Sequence, residues 1–146
     1  MSRLSRLCFA ATQQVKPLPL TSIQLSELAN VARECVADII AELGVGHREK
    51  VYECAMMIAL VSKGYNVQHS VRRPVSYRGV VVGLVEMDIL LLTAHGVALP
   101  VELKIKSSTS ADRAQLRKYM RLLGVEDGLL VTFDGGDDGV ELVKVM

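Results

Sequence analysis

Apolar and polar positions alternate with two distinct periods along the chain. Leu25, Leu28, Val31, Ala32, Cys35, Val36, Ile39, Ile40 and Leu43 recur at the spacing of one helix face. Thr21 with Gln24 offers a capping box ahead of them, and Gly44 a stop behind them. A second helix is expected from about Glu49, with an apolar run from Cys54 to Val61 and a stop at Gly64. Residues 65–82 read as one or two strands with a turn near Arg78-Gly79, and Pro74 suggests an edge or irregular position. Residues 83–106 hold two runs of Val, Ile and Leu around Ala94-His95-Gly96, the signature of a short hairpin loop. Ser107-Ser108-Thr109-Ser110 caps a third helix over 111–123, which Gly124 ends. Strands follow at 128–133 and 140–145, joined by an Asp- and Gly-rich turn. The expected class is α/β, a mixed sheet flanked by helices in the order α-α-β-β-β-α-β-β.

The central hairpin carries the candidate chemistry. If it is symmetric about His95, Asp88 stands opposite Glu102, with Cβ atoms about 5 Å apart. Lys104 lies two positions on and shares their face, with Leu90, Leu92, Ala98 and Pro100. Val85, Met87, Ile89, Leu91, Val101, Leu103 and Ile105 are expected on the other face. Two carboxylates at that distance repel unless a proton or cation lies between them. A hard divalent ion accepts one or two carboxylates plus substrate phosphate. The plainer alternative is a solvated charged face, with Glu86 opposite Lys104 as a cross-strand ion pair. Both faces of the hairpin are otherwise apolar, so both should be covered, and buried charges need partners or metal.

Composition narrows the choice of partners. The 146 residues suit one domain, here residues 21–146, and half are hydrophobic. The mean hydropathy of +0.30 is high for a small monomer and favours a homodimer. No apolar run is long enough to span a membrane. With a net charge of +1, nucleic-acid binding would need a local patch. Arg72 and Arg73 near the sheet, and Arg113, Arg117, Lys118 and Arg121 along the third helix, are the candidates. The ordinary alternatives are an edge that resists aggregation and a solvated helix face. Without Trp, a base-stacking platform is not expected. Cys8, Cys35 and Cys54, with His47, His69 and His95, form no zinc spacing and fit reduced thiols inside the cell. Cytoplasm or nucleus is the expected location. Residues 1–20 are basic and acid-free, which reads as an N-terminal arm or, less readily, an organelle-targeting segment.

Gly46-x-x-Glu49-x-x-Tyr52 matches the motif that names the GxxExxY proteins. It is followed in order by Tyr77-Arg78-Gly79, Asp88, Val101-Glu102-Leu103-Lys104, Gln115-Leu116-x-x-Tyr119 and Gly128-Leu129-Leu130. The chain thus resembles the GxxExxY branch of the PD-(D/E)XK nuclease superfamily, the restriction-endonuclease-like fold. The resemblance implies a nuclease that hydrolyses phosphodiester bonds of DNA or RNA with Mg²⁺ or Mn²⁺, without naming its substrate, and DNA is expected ahead of RNA. It implies metal binding by Asp88 and Glu102 with Glu49 as a further ligand or water-positioning group, a Lys104 that orients or activates the attacking water and stabilises charge on the phosphate, and support from Gln115 and Tyr119. The alternative is a non-catalytic nucleic-acid-binding or regulatory homodimer that keeps the fold. Three positions depart from the branch pattern: Ser70 stands in place of Gln, Leu84 in place of a polar or acidic residue, and Glu86 adds an acid near Lys104.

Overall fold

The computed structural model describes residues 18–136 and 138–146. The targeting segment considered for residues 1–20 therefore lies almost wholly outside the described residues. Helix α1 (Ser22–Leu43) starts at a capping box in which Thr21 and Gln24 each bond the other's backbone, and it stops at Gly44, φ 71°. Then come α2 (Glu49–Ser62), β1 (Asn66–Tyr77), β2 (Val80–Leu92), β3 (Ala98–Lys104), α3 (Ser110–Leu123), β4 (Asp127–Thr132) and β5 (Val140–Lys144). This is the element order expected from the sequence.

The five strands form one mixed sheet in the order β1-β2-β3-β4-β5. β3 and β4 run parallel, with α3 as the crossover, and every other pair is antiparallel. α1 and α2 cover one face, where Leu25, Ala32, Tyr52 and Met56 pack on Ile89, Leu91, Val101, Leu103 and Val131. α3 covers the other face through Leu116 and Met120 on Leu130 and Val143, and through Tyr119 beside Leu90. A sheet covered on both sides explains the continuous apolar runs of β3 and β4. Gly128 lets α3 lie close: a Cβ there would meet Leu116 and Met120 at 3.0 Å.

The structure corrects two expectations about β2. The strand starts at Val80 rather than near Gly83, so it forms one long hairpin with β1 around Arg78-Gly79, φ 49° and 78°. The second correction concerns its faces. The β1–β2 ladder omits the Ser70–Asp88 pair, and Ser70 has φ 54°, rare for a residue with a side chain. Beyond this break the pleat inverts. Val85 and Met87 pack with Val71, Leu90 and Tyr119 on the α3 side, not with Ile89 and Leu91. Glu86 pairs in the ladder with Arg72, and the alternative Glu86–Lys104 ion pair does not form, because β2 and β3 part beyond Ile89–Val101. Among the described residues, no helix is long and apolar enough to cross a membrane.

Candidate active site

The hairpin register follows from its loop. Thr93 N–H donates to the Val97 carbonyl at 3.0 Å, Gly96 takes φ 78°, and the pairs run from Leu92–Ala98 to Ile89–Val101. Asp88 and Glu102 come next in that register, but here the ladder stops. In its place, the Leu103 N–H donates to Asp88 Oδ2 at 2.9 Å. The carboxylate thus satisfies a buried amide that the parting strands would otherwise leave unpaired.

Glu102 faces this point and is only 4% exposed. Burial first, and then the Asp88 charge and hydrogen bond, push its carboxyl up to about 8 against the opposing pull of Lys104. Lys104 Nζ lies 3.7 Å from Glu102 Oε1 and 3.9 Å from Asp112 Oδ1. Burial alone would lower the Lys104 pKa. The carboxylates of Glu102, Glu49, Asp112 and Asp88 outweigh it and hold the ammonium above its ordinary value. On α3, Gln115 Nε2 donates to the Tyr119 hydroxyl at 2.6 Å. Burial, and then the Glu102 charge, raise the Tyr119 phenol. Asp88, Glu102 and Lys104 thus meet at the end of β3, with Glu49 of α2 and Asp112 and Tyr119 of α3 near enough to act on their charges.

Glu49 reaches the site because the turn before α2 is braced. Tyr52, fully buried, donates its hydroxyl to the Gly44 carbonyl at 2.6 Å and accepts from His47 N–H at 3.2 Å. Its ring stacks on Phe133 at 4.7 Å. Gly46 takes φ 98°, open to glycine and strained for other residues. Burial raises the Glu49 carboxyl, Lys104 lowers it, and Asp88, Glu53 and Asp112 raise it further. An open cleft of about 420 Å³ is lined by Glu49, Lys104, Lys106, Ser107, Thr109 and Asp112.

Two parts of the site were missed from sequence. Asp112 caps α3 through Thr109 N–H at 2.9 Å while its other oxygen faces Lys104. The Thr-x-x-Asp pattern was visible, but its second duty needs the fold. The other part is a cluster behind Glu49. Buried Glu53 bonds His69 Nε2 at 2.6 Å, and Lys50 Nζ reaches Glu53 at 3.4 Å and Ser70 Oγ at 3.2 Å. It ties α2 to β1 at the pleat inversion. The six basic candidates divide. Arg113 pairs with Glu141 at 2.7 Å and Arg117 donates to the Lys144 carbonyl at 2.9 Å. Lys118 and Arg121 are exposed on α3, Arg72 is exposed on β1, and Arg73 beside it is half-buried.

Among the described residues, no group of three His, Cys, Asp or Glu side chains is placed to hold a metal ion as it stands. The donors do suit a hard cation: all are carboxylate oxygens, and burial beside Asp88 raises the Glu102 carboxyl in spite of Lys104.

A family model described as the PD-(D/E)XK nuclease superfamily matches residues 26–144. The chain belongs to this superfamily. PD-(D/E)XK nucleases generally depend on a divalent metal. The crystal structure of SSO0001 superimposes with a TM-score of 0.51 at 19% identity, over 82% of this chain and 59% of that one. That likeness concerns the fold, and this chain spans 59% of that protein's length. No curated protein matches the sequence.

Proposed function

We propose that this PD-(D/E)XK chain is a divalent-metal-dependent nuclease of the GxxExxY branch, acting on DNA ahead of RNA. The observation that carries the reading is the meeting of Asp88 and Glu102 beside Lys104, where burial makes two negative charges untenable without a cation. Asp88 and Glu102 would hold Mg²⁺ or Mn²⁺, with Glu49 as the further oxygen donor. The ion would supply Lewis acidity toward a phosphate oxygen and acidify water.

The chain's own groups do the rest. Lys104, held protonated by its carboxylate neighbours, stabilises charge that grows on the phosphate rather than taking a proton. Asp112 keeps that ammonium over the cleft. The Gln115–Tyr119 pair backs Glu102 from α3. Arg72, Arg73, Lys118 and Arg121 are the side chains proposed to meet the nucleic-acid backbone. Arg113 and Arg117 would contribute through the charge left by their internal bonds. The GxxExxY assignment is supported by Gly46 at φ 98°, Tyr52 bracing the turn, and Glu49 at the cleft. Cys35 and Cys54 are free thiols, in keeping with a protein inside the cell. The proposal treats residues 21–146 as one domain and the protein as a homodimer.

The test is cleavage of labelled single- and double-stranded DNA and RNA with Mg²⁺ or Mn²⁺, alongside Asp88→Asn and Lys104→Ala. The parent should cut, and each variant should lose at least about a hundredfold in rate. Equal cutting by parent and variants would place the activity elsewhere. An inert parent that still binds nucleic acid would favour the second reading, a regulatory homodimer. One observation favours that reading: Val80, Val81, Val82 and Leu84 stand exposed, away from the cleft.

A further inference from the structure

The distal half of the β1–β2 hairpin takes no part in the site. β3 pairs with β2 only from Ile89 to Leu92, so from Val80 to Met87 the strand is flanked by β1 alone. Its other edge offers backbone groups without a ladder. This stretch carries Val80, Val81, Val82 and Leu84 at 59–65% exposure, next to Tyr77 at 62%. Isolated exposed apolar residues are ordinary, but a contiguous run on both faces of a strand is not. The outer edge of β1 shows the contrast. It carries Arg72, Arg73 and Pro74, which block further pairing. The free edge of β2 has only Glu86.

We propose that a second copy of this chain covers this edge, with the two β2 strands antiparallel about a two-fold axis at Val82. Antiparallel pairing of one strand with itself is self-complementary, as a two-fold interface requires. An axis at Val82 sets Val80 of each copy against Leu84 of the other. It also leaves each Glu86 just beyond the start of the other copy's β2, beside the turn that carries Arg78, and both charges are exposed at present. Arg78 is held ready, its guanidinium 5.2 Å over the Tyr77 ring. Val82 is the residue that the β1 ladder passes over at its bulge, so it has no β1 partner. These five residues, backbone included, expose on the order of 500 Å² per copy, the size of a small interface. A standard interface takes roughly 800 Å² from each partner. The inference is independent of the nuclease reading, because its test reads mass rather than turnover.

The experiment is analytical ultracentrifugation of the full chain from low to high micromolar concentration. The parent should sediment as two 15.9-kDa copies. Val80→Lys and Leu84→Lys replace exposed side chains, so circular dichroism should stay unchanged while dimer Kd rises at least about tenfold. Arg78→Glu and Glu86→Arg should each weaken the dimer, and the double variant should restore it. A parent that stays monomeric throughout overturns the proposal. So does a dimer that either lysine variant leaves intact, and so does a charge-swapped double variant that fails to recover.

Discussion

Glu102 shows what the site costs the fold. Burial beside Asp88 pushes its carboxyl up to about 8 in the folded protein, from the ordinary 4.5. The folded protein therefore binds this proton more tightly than the unfolded chain does. The group's contribution is intact below about pH 4.5 and falls away as pH rises toward 8. Over that window the metal-free parent should lose on the order of 3 kcal/mol from this one group. Glu102→Gln, which cannot ionise, should remove most of that slope and be the more stable form at pH 8. Urea unfolding in EDTA at pH 5 and pH 8 measures both. Identical slopes in the two proteins would show that the carboxyl is not perturbed as described. Mg²⁺ at pH 8 should stabilise the parent more than the variant. The Asp88–Glu102 register was legible because loop symmetry alone fixes it. The failure of the Glu86–Lys104 pair was not, because β2 and β3 part beyond Ile89–Val101, where Asp88 takes the Leu103 amide in place of a ladder bond.

Among the elements, the connection from α1 to α2 decides where Glu49 stands. Residues three apart, as Glu49 and Tyr52 are, ordinarily neighbour each other on a helix surface. In the fold Tyr52 turns into the core against Phe133, while Glu49 stays at the cleft. The two serve one purpose, because the Tyr52 hydroxyl bridges Gly44 and His47 across the turn that launches the helix. Tyr52→Phe keeps the stacked ring and removes only that bridge. It should cost about 1 kcal/mol of stability, the loss of two part-buried hydrogen bonds whose backbone groups water can reach in part. It should also lower metal affinity by loosening Glu49. Thermal unfolding and Mn²⁺ calorimetry measure the two effects. If stability drops and metal affinity does not, Glu49 is positioned by the Glu53–His69 contact instead. Helix ends were legible throughout: Thr21, Gly44, Thr109 and Gly124 act in the fold as their types suggest. The Glu53–His69–Lys50 cluster was not, since its members lie on different elements and have no shared spacing.

The whole molecule divides into a sheet covered on both sides and an arm that is not. Element order was readable from periodicity and turns. The length of β2 was not, because Gly83 reads as a boundary while the strand in fact runs through it with open space around it. This division should appear in hydrogen exchange. β3 and β4 are almost wholly buried, with helices on both faces, so their amides can exchange only by large-scale opening. Residues 75–84 have one ladder and no covering helix, and a lone two-stranded ribbon is marginal in water. At high dilution their amides should exchange fastest in the sheet, apart from its termini. If a second copy covers the arm, amides from Val80 to Glu86 should slow as concentration rises while those of β3 stay constant. An arm as protected as β3 at every concentration would mean that it is stable on its own, and the case for a partner strand would lose its physical motive.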